Sequence, residues 1–169
     1  RRFLKYRYLG CSNKIYKEFR KYLKEVIHSL HQMKMIFTPN EIVRMLCGED
    51  HIDLEDMRNH SQCGGDLKTN PIILAHFWSF LCTCNQTQLS SILHFALGTF
   101  KTPSGGFRNL SIVNNVPMPL TLISNKGSDN LLTSRTCFNR VNLPFETNYE
   151  KFKRICVMCL ESCMGFGTD

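Results

Sequence analysis

The sequence contains no apolar run long enough to cross a membrane as a helix, so no membrane span is expected. Its start, Arg1-Arg2-Phe3-Leu4-Lys5-Tyr6, lacks the apolar core and small-residue cleavage site of a signal peptide. An initiator Met is missing too, and a fragment of a longer chain is expected. Internal repeats and low-complexity tracts are absent. Zinc-finger, RNP and basic-region patterns are also absent, which leaves no motif to support a nucleic-acid partner. The cysteines number nine, so they cannot all pair, and without a signal peptide a disulfide framework is not expected. A reducing, intracellular setting follows, the cytoplasm or also the nucleus, with most thiols acting as small hydrophobes.

What is present suits a folded domain. Apolar residues make up 43% of the 169 and charged residues 21%, the balance of a globular chain with one core of ordinary size. The formal net charge is +7, and many basic residues fall between Arg1 and Lys24. That charge could face an anionic partner. It is also what a solvated helix face looks like, and this is the preferred reading.

Ile15, Phe19, Leu23, Val26, Ile27 and Leu30 recur at helical spacing and predict an amphipathic helix over about 14–33. Thr38-Pro39-Asn40-Glu41 forms a capping box that opens a second helix, which stops near Gly48. The polar Gly48-Glu49-Asp50-His51 is the expected boundary between two units. A short helix follows over Leu54–Asn59, then a flexible stretch, Ser61-Gln62-Cys63-Gly64-Gly65-Asp66. Pro71 opens a helix holding Ile72, Ile73, Phe77, Trp78, Phe80 and Leu81. Thr87 is expected to cap the next, which ends at Gly98. Pro103-Ser104-Gly105-Gly106-Phe107 reads as a turn or close-approach loop. Ser111–Val116 and Leu120–Ser124 suit strands, and Asn125–Asn130 a loop. Thr147-Asn148-Tyr149-Glu150 is a second capping box, opening a last helix to about Cys163, with Gly165 at its end. Helices, a few strands and a closing helix indicate an α+β unit.

Two groups of residues invite chemistry. Cys156, Cys159 and Cys163, with Cys82 and Cys84, suggest a metal site. The first three share a helical face with Phe152, Ile155 and Leu160, however, and no His stands at zinc-ligand spacing; a buried stripe is the better reading, with no metal and no cofactor. Cys137 differs. It sits outside the periodic helices, in Thr133-Ser134-Arg135-Thr136-Cys137-Phe138-Asn139-Arg140-Val141-Asn142-Leu143-Pro144. Nucleophilic catalysis needs an accessible, partly ionised thiol, and the charge of Arg135 would favour the thiolate if the side chains approach. Cysteine in a polar loop is also often incidental.

Thr136-Cys137-Phe138-Asn139 followed by Leu143-Pro144 resembles the active-site signature of the HECT ubiquitin ligases. Phe77-Trp78 is similar to the family's Phe-Trp helix. Leu97-Gly98-Thr99 with Pro103-Ser104-Gly105-Gly106-Phe107 resembles its Thr-Gly…Pro-x-Gly-Gly-Phe segment. Phe37-Thr38-Pro39-Asn40-Glu41 and Leu46-Cys47-Gly48 resemble the end of its larger N-terminal lobe, and Gly165-Phe166-Gly167 its C-terminal tail. The likeness covers residues from about 14 to 169. It implies that residues 1–48 are the end of the N-lobe and residues 49–169 the C-lobe, with a hinge near 48–51. The fold implied is several helices packed on a small β-sheet, preceded by two N-lobe helices.

The resemblance implies two-step acyl transfer. Cys137 would take ubiquitin from a ubiquitin-conjugating enzyme as a thioester, and a lysine of a protein substrate would then attack it. Thr136, Phe138 and Asn139 would contact ubiquitin. Arg135 would position the thiolate or the ubiquitin tail, which could add as a strand to the segment before Cys137. Phe166, four places from the end, would assist transfer to lysine; otherwise it is an incidental tail residue. Two departures stand out. Arg135 replaces a frequent His, and a guanidinium cannot accept a proton. Asn142 replaces a frequent Asp. They motivate an alternative, a ubiquitin-binding or regulatory module with impaired transfer. His76 and His94, inside helices, are expected to be packing or surface residues.

Overall fold

The computed structural model describes residues 11–26, 30–110, 112–113, 116–127 and 129–164. Two compact units divide between Val43 and Arg44. The first contains α1 (Cys11–Val26) and α2 (Leu30–Ile36), with residues 27–29 outside the described residues. Along α1, Ile15 and Phe19 are exposed while Leu23 is half-buried. The next helix, α3 (Pro39–Cys47), crosses the division. Its expected capping box forms: Glu41 N–H donates to Thr38 Oγ1 at 3.3 Å, and Thr38 N–H donates to Glu41 Oε2 at 2.7 Å. Gly48 ends the helix at φ +84°, where an added Cβ would come within 2.3 Å of the Thr102 carbonyl. Glycine alone fits such a contact.

The second unit is α+β. After α3 come α4 (Leu54–Asn59), β1 (Ser61–Cys63), α5 (Pro71–Cys82), α6 (Gln86–Leu97), the short strands β2 (Ile112–Val113) and β3 (Val116–Pro117), β4 (Leu120–Asn125), β5 (Thr133–Arg135), β6 (Arg140–Pro144) and α7 (Tyr149–Met164). Single 3-10 turns occupy Gly65–Lys68, Phe107–Asn109 and Thr136–Phe138. Four strands form one sheet in the order β1-β4-β6-β5. β1, β4 and β6 run parallel, and β5 pairs antiparallel to β6 at the edge. The core lies between this sheet and the helices. Leu120, Leu122, Val141 and Leu143 meet Ile73, Phe77 and Leu81 of α5, Leu93 and Ala96 of α6, and Phe152, Cys156 and Leu160 of α7 in one buried cluster. No described helix is long and apolar enough to cross a membrane.

Four local expectations change. Ser61–Asp66 is not a flexible stretch but strand β1 and the start of a 3-10 turn; its ladder partner, Leu120–Leu122, lies far along the chain and leaves no local trace. Asn85, not Thr87, caps α6, because its side chain accepts from Gln88 N–H and the Gln88 side chain returns to Asn85 N–H. The last helix opens at Tyr149 as expected, but Asn148 rather than Thr147 caps it: Asn148 Oδ1 accepts from Lys151 N–H at 3.0 Å. The strand expected over Ser111–Val116 is instead the antiparallel pair β2 and β3.

Candidate active site

The loop around Cys137 is short because its two flanks pair with each other. β5 and β6 align antiparallel, Thr133 opposite Asn142, Ser134 opposite Val141 and Arg135 opposite Arg140. Only Thr136–Asn139 remain to turn the chain, and Thr136–Phe138 do so as one 3-10 turn. Asn139 closes the turn at φ 47° and ψ 42°, the left-handed region that asparagine tolerates better than most residues. Its N–H donates to Thr136 O at 3.2 Å, its carbonyl accepts from Thr121 N–H at 2.8 Å, and its side-chain amide donates to Met118 O at 2.7 Å. Asn139 is thereby buried, while Thr136, Cys137 and Phe138 before it are exposed. From the other side Gly98, at the C-terminus of α6, stands against Thr136: a Cβ added there would lie 3.9 Å from Thr136 Cβ.

The sulfur of Cys137 is therefore held outside the core by a turn that is fixed on both sides. Other thiols are in different surroundings. Cys156 and Cys159 are buried, as the stripe on α7 implies; the Cys163 side chain lies outside the described residues. Burial pushes the Cys156 thiol far above its ordinary range and pushes Cys84 up to about 11, and Cys63 is raised for the same reason. Cys47 and Cys82 are exposed, but each sits in the last turn of a helix with no support of the kind that fixes Cys137. Among the described residues no three His, Cys, Asp or Glu side chains gather to hold a metal.

The sequence-derived residues Arg135, Thr136, Cys137, Phe138 and Asn139 lie together on this loop, and Phe166 lies outside the described residues. His94 stacks on the Phe100 ring at 3.9 Å between centroids. His76 sits edge-on to Tyr149 and tilted against Phe152, with its Nδ1 buried and unpartnered.

His60, not among the sequence-derived residues, lies near this end of the sheet. Its Nδ1 stands 2.8 Å from Asp56 Oδ1, and Asp56 Oδ2 accepts from Phe107 N–H at 2.7 Å. Gly106, at φ +91°, permits that approach, since a Cβ there would lie 2.5 Å from Asp56 Oδ2. His60 lines a cleft of about 400 Å³ with Asn59, Gln62, Arg108, Met118 and Pro119. The cleft and the Cys137 loop share one end of the sheet, because Met118 carries the carbonyl that Asn139 holds. The only signal in the sequence was the Asp-x-x-x-His spacing within a short helix, which is common on helix surfaces.

The family model described as HECT-domain (ubiquitin-transferase) matches residues 1–169. The chain is 32% identical over 135 residues to the E3 ubiquitin-protein ligase Nedd-4 of Drosophila melanogaster, covering 79% of the chain and 13% of that protein. It is 26% identical over 168 residues to the E3 ubiquitin-protein ligase HUWE1 of Mus musculus, 96% of the chain and 4% of that protein. It is 29% identical over 134 residues to the E3 ubiquitin-protein ligase RSP5 of Saccharomyces cerevisiae, 79% of the chain and 16% of that protein. The chain spans only a small part of the length of these relatives.

Proposed function

The chain belongs to the HECT-domain (ubiquitin-transferase) family, and from that premise we propose that it is the ubiquitin-transferring lobe of a ubiquitin ligase, with Cys137 as the acyl carrier. The observation that carries the reading is the fixed, exposed turn at Cys137 beside thiols that burial keeps protonated. In the first step the Cys137 thiolate attacks the carbonyl carbon of the thioester joining ubiquitin to a conjugating enzyme. A C–S bond forms to Cys137, the old C–S bond breaks, and the conjugating enzyme's sulfur leaves as thiolate. One thioester replaces another, so placement rather than driving force sets the rate. In the second step the neutral amine of a substrate lysine attacks the same carbon. A C–N bond forms, Cys137 leaves as thiolate, and the amine gives its proton to water.

Each neighbouring residue takes a part. β5 is an edge strand ending two residues before Cys137, so its free side can receive an extended polypeptide tail by strand addition. That would align ubiquitin's C-terminus with the sulfur, beside Arg135 and Thr136. Exposed Phe138 offers an apolar contact to ubiquitin. Asn139, with its amide spent on Met118 O, serves ubiquitin binding by holding the turn. Phe166 would act in the lysine step. Residues 1–48 would be the end of the lobe that docks the conjugating enzyme, with the hinge near 48–51, and the setting would be intracellular.

Mixing the chain with a ubiquitin-charged conjugating enzyme at high concentration should give an adduct of one ubiquitin that a thiol reductant cleaves. Cys137→Ala should abolish it. An adduct that persists in Cys137→Ala, or none with the unmodified chain, would refute the assignment.

A further inference from the structure

Arg135 and Arg140 are direct partners in the β5–β6 ladder. Directly opposed residues of an antiparallel pair share a face, with Cβ atoms about 4.5–5.5 Å apart, and like charges so placed repel. Arginine cannot relieve the repulsion by losing its proton. Nothing on the ribbon neutralises it either. The two strands and the turn between them, Thr133 to Pro144, contain no Asp or Glu. Asn142 lies two residues from Arg140 on the same face and is neutral, its amide donating to Thr133 Oγ1 at 2.8 Å. Ion pairs among the described residues join His60 to Asp56, Lys101 to Asp50 and Lys126 to Asp66, and neither arginine takes part in one. Arg135 on the edge strand β5 and Arg140 on its neighbour β6 thus place two positive charges at the base of the turn that carries the exposed Cys137.

We propose that Arg135 and Arg140 form a carboxylate-binding site that selects acceptor lysines flanked by Asp or Glu. The guanidinium fork matches a carboxylate in two parallel hydrogen bonds, and an entering carboxylate removes the repulsion between the arginines. The pair brackets a four-residue turn, Thr136–Asn139, so an anion held there belongs to the molecule whose amine approaches Cys137. This last step, the identity of the molecule bearing the anion, rests on Cys137 being the acyl carrier. The carboxylate site itself does not.

The test uses two peptides with a central lysine, one flanked by Glu and its twin flanked by Gln. Fluorescence anisotropy against the whole, unloaded chain reads binding. The Glu peptide should bind about tenfold more tightly, the value of one charge-assisted hydrogen-bonded pair. Arg135→Gln, at an exposed position, should erase that preference, and Arg140→Gln should do the same. Lys151→Gln with Arg154→Gln removes two exposed positive charges on α7 and should leave it intact. Equal binding of the twins, or a preference that survives Arg135→Gln, would overturn the proposal. So would a preference lost equally in the α7 control, because that is bulk charge. In a second arm the chain is loaded from a ubiquitin C-terminal alkyl thioester, which needs no conjugating enzyme, and chased with each peptide. Faster discharge onto the Glu peptide supports selection at the acceptor step, and equal discharge overturns it. If Cys137 fails to load, the acyl-carrier reading falls, and the anisotropy arm still decides whether the carboxylate site exists.

Discussion

Asn139→Ala should both destabilise the lobe and loosen Cys137. Two terms are lost together. The amide no longer donates to Met118 O, a 2.7 Å bond at a buried position, worth about 1–3 kcal/mol where a buried group loses its partner. Alanine must also occupy φ 47°, a left-handed conformation that costs an ordinary residue about 1–2 kcal/mol. The sum is about 2–5 kcal/mol, read as a lower urea midpoint at constant slope. Two companion variants separate the terms. Asn139→Gly removes the hydrogen bond but accepts the backbone angle, so it should cost no more than alanine. Asn139→Asp keeps shape and backbone tolerance but aims a carboxylate oxygen at a carbonyl. The folded state then favours the protonated acid, raising its pKa above the unfolded value of about 3.9. In that window the folded state binds more protons than the unfolded one, so stability is greatest below about 3.9 and falls as pH rises through the folded pKa. A cost for alanine below about 0.5 kcal/mol, the range of an ordinary surface change, would refute the role given to Asn139. So would an aspartate variant that gains stability as pH rises over the same range.

Alkylation followed by peptide mass mapping at pH 8 should label Cys137, Cys47 and Cys82 early and Cys84 and Cys156 late. With its thiol pushed up to about 11, Cys84 is only about one part in a thousand ionised at pH 8, and its labelling should climb roughly tenfold per pH unit until pH nears that value. Cys84 labelled as fast as Cys137 would contradict the burial argument. Gly106→Ala should displace the Asp56 carboxylate, because the new Cβ lies 2.5 Å from Oδ2 at φ +91°. Loss of the Phe107 N–H bond and the backbone strain should together cost about 2–4 kcal/mol in a denaturant titration, and an unchanged midpoint would refute it. Phe152→Ala, fully buried between α7 and the core, should cost about 3–5 kcal/mol in the same measurement; a cost under about 1 kcal/mol would mean that α7 is not packed as described.

The helices were legible because their signals are local. Leu54–Asn59 and Pro71–Cys82 form where expected, the second opened by Pro71 and filled by a dense apolar run. The caps expected at Thr87 and Thr147 are instead Asn85 and Asn148. The choice is made by which side chain the folded turn brings to a free N–H. β1 was not legible at all. Ser61-Gln62-Cys63 is too short to show alternation, is followed by two glycines, and becomes a strand only because β4 offers a parallel edge. The Cys137 loop divides the same way. Its residues were recognisable as a motif, but the support from Met118, Thr121 and Gly98 comes from segments distant in the chain.

That division explains why the two departures from the family pattern carry more weight in the fold than in the sequence. Taken singly, Arg135 is a base lost and Asn142 a charge lost, both arguing for a weaker enzyme. In the ladder Arg135 stands opposite Arg140, and Asn142 stands on the same face where a carboxylate would have neutralised them. Relative to the pattern the sequence resembles, one departure puts a positive charge beside the turn and the other leaves a neutral amide there. If the carboxylate site proposed above exists, the two together would make the side of the sheet next to Cys137 attractive to an anion. A carboxylate arriving with the acceptor would relieve the repulsion between the arginines, and what reads as two losses in the sequence would then be one change in what the site selects.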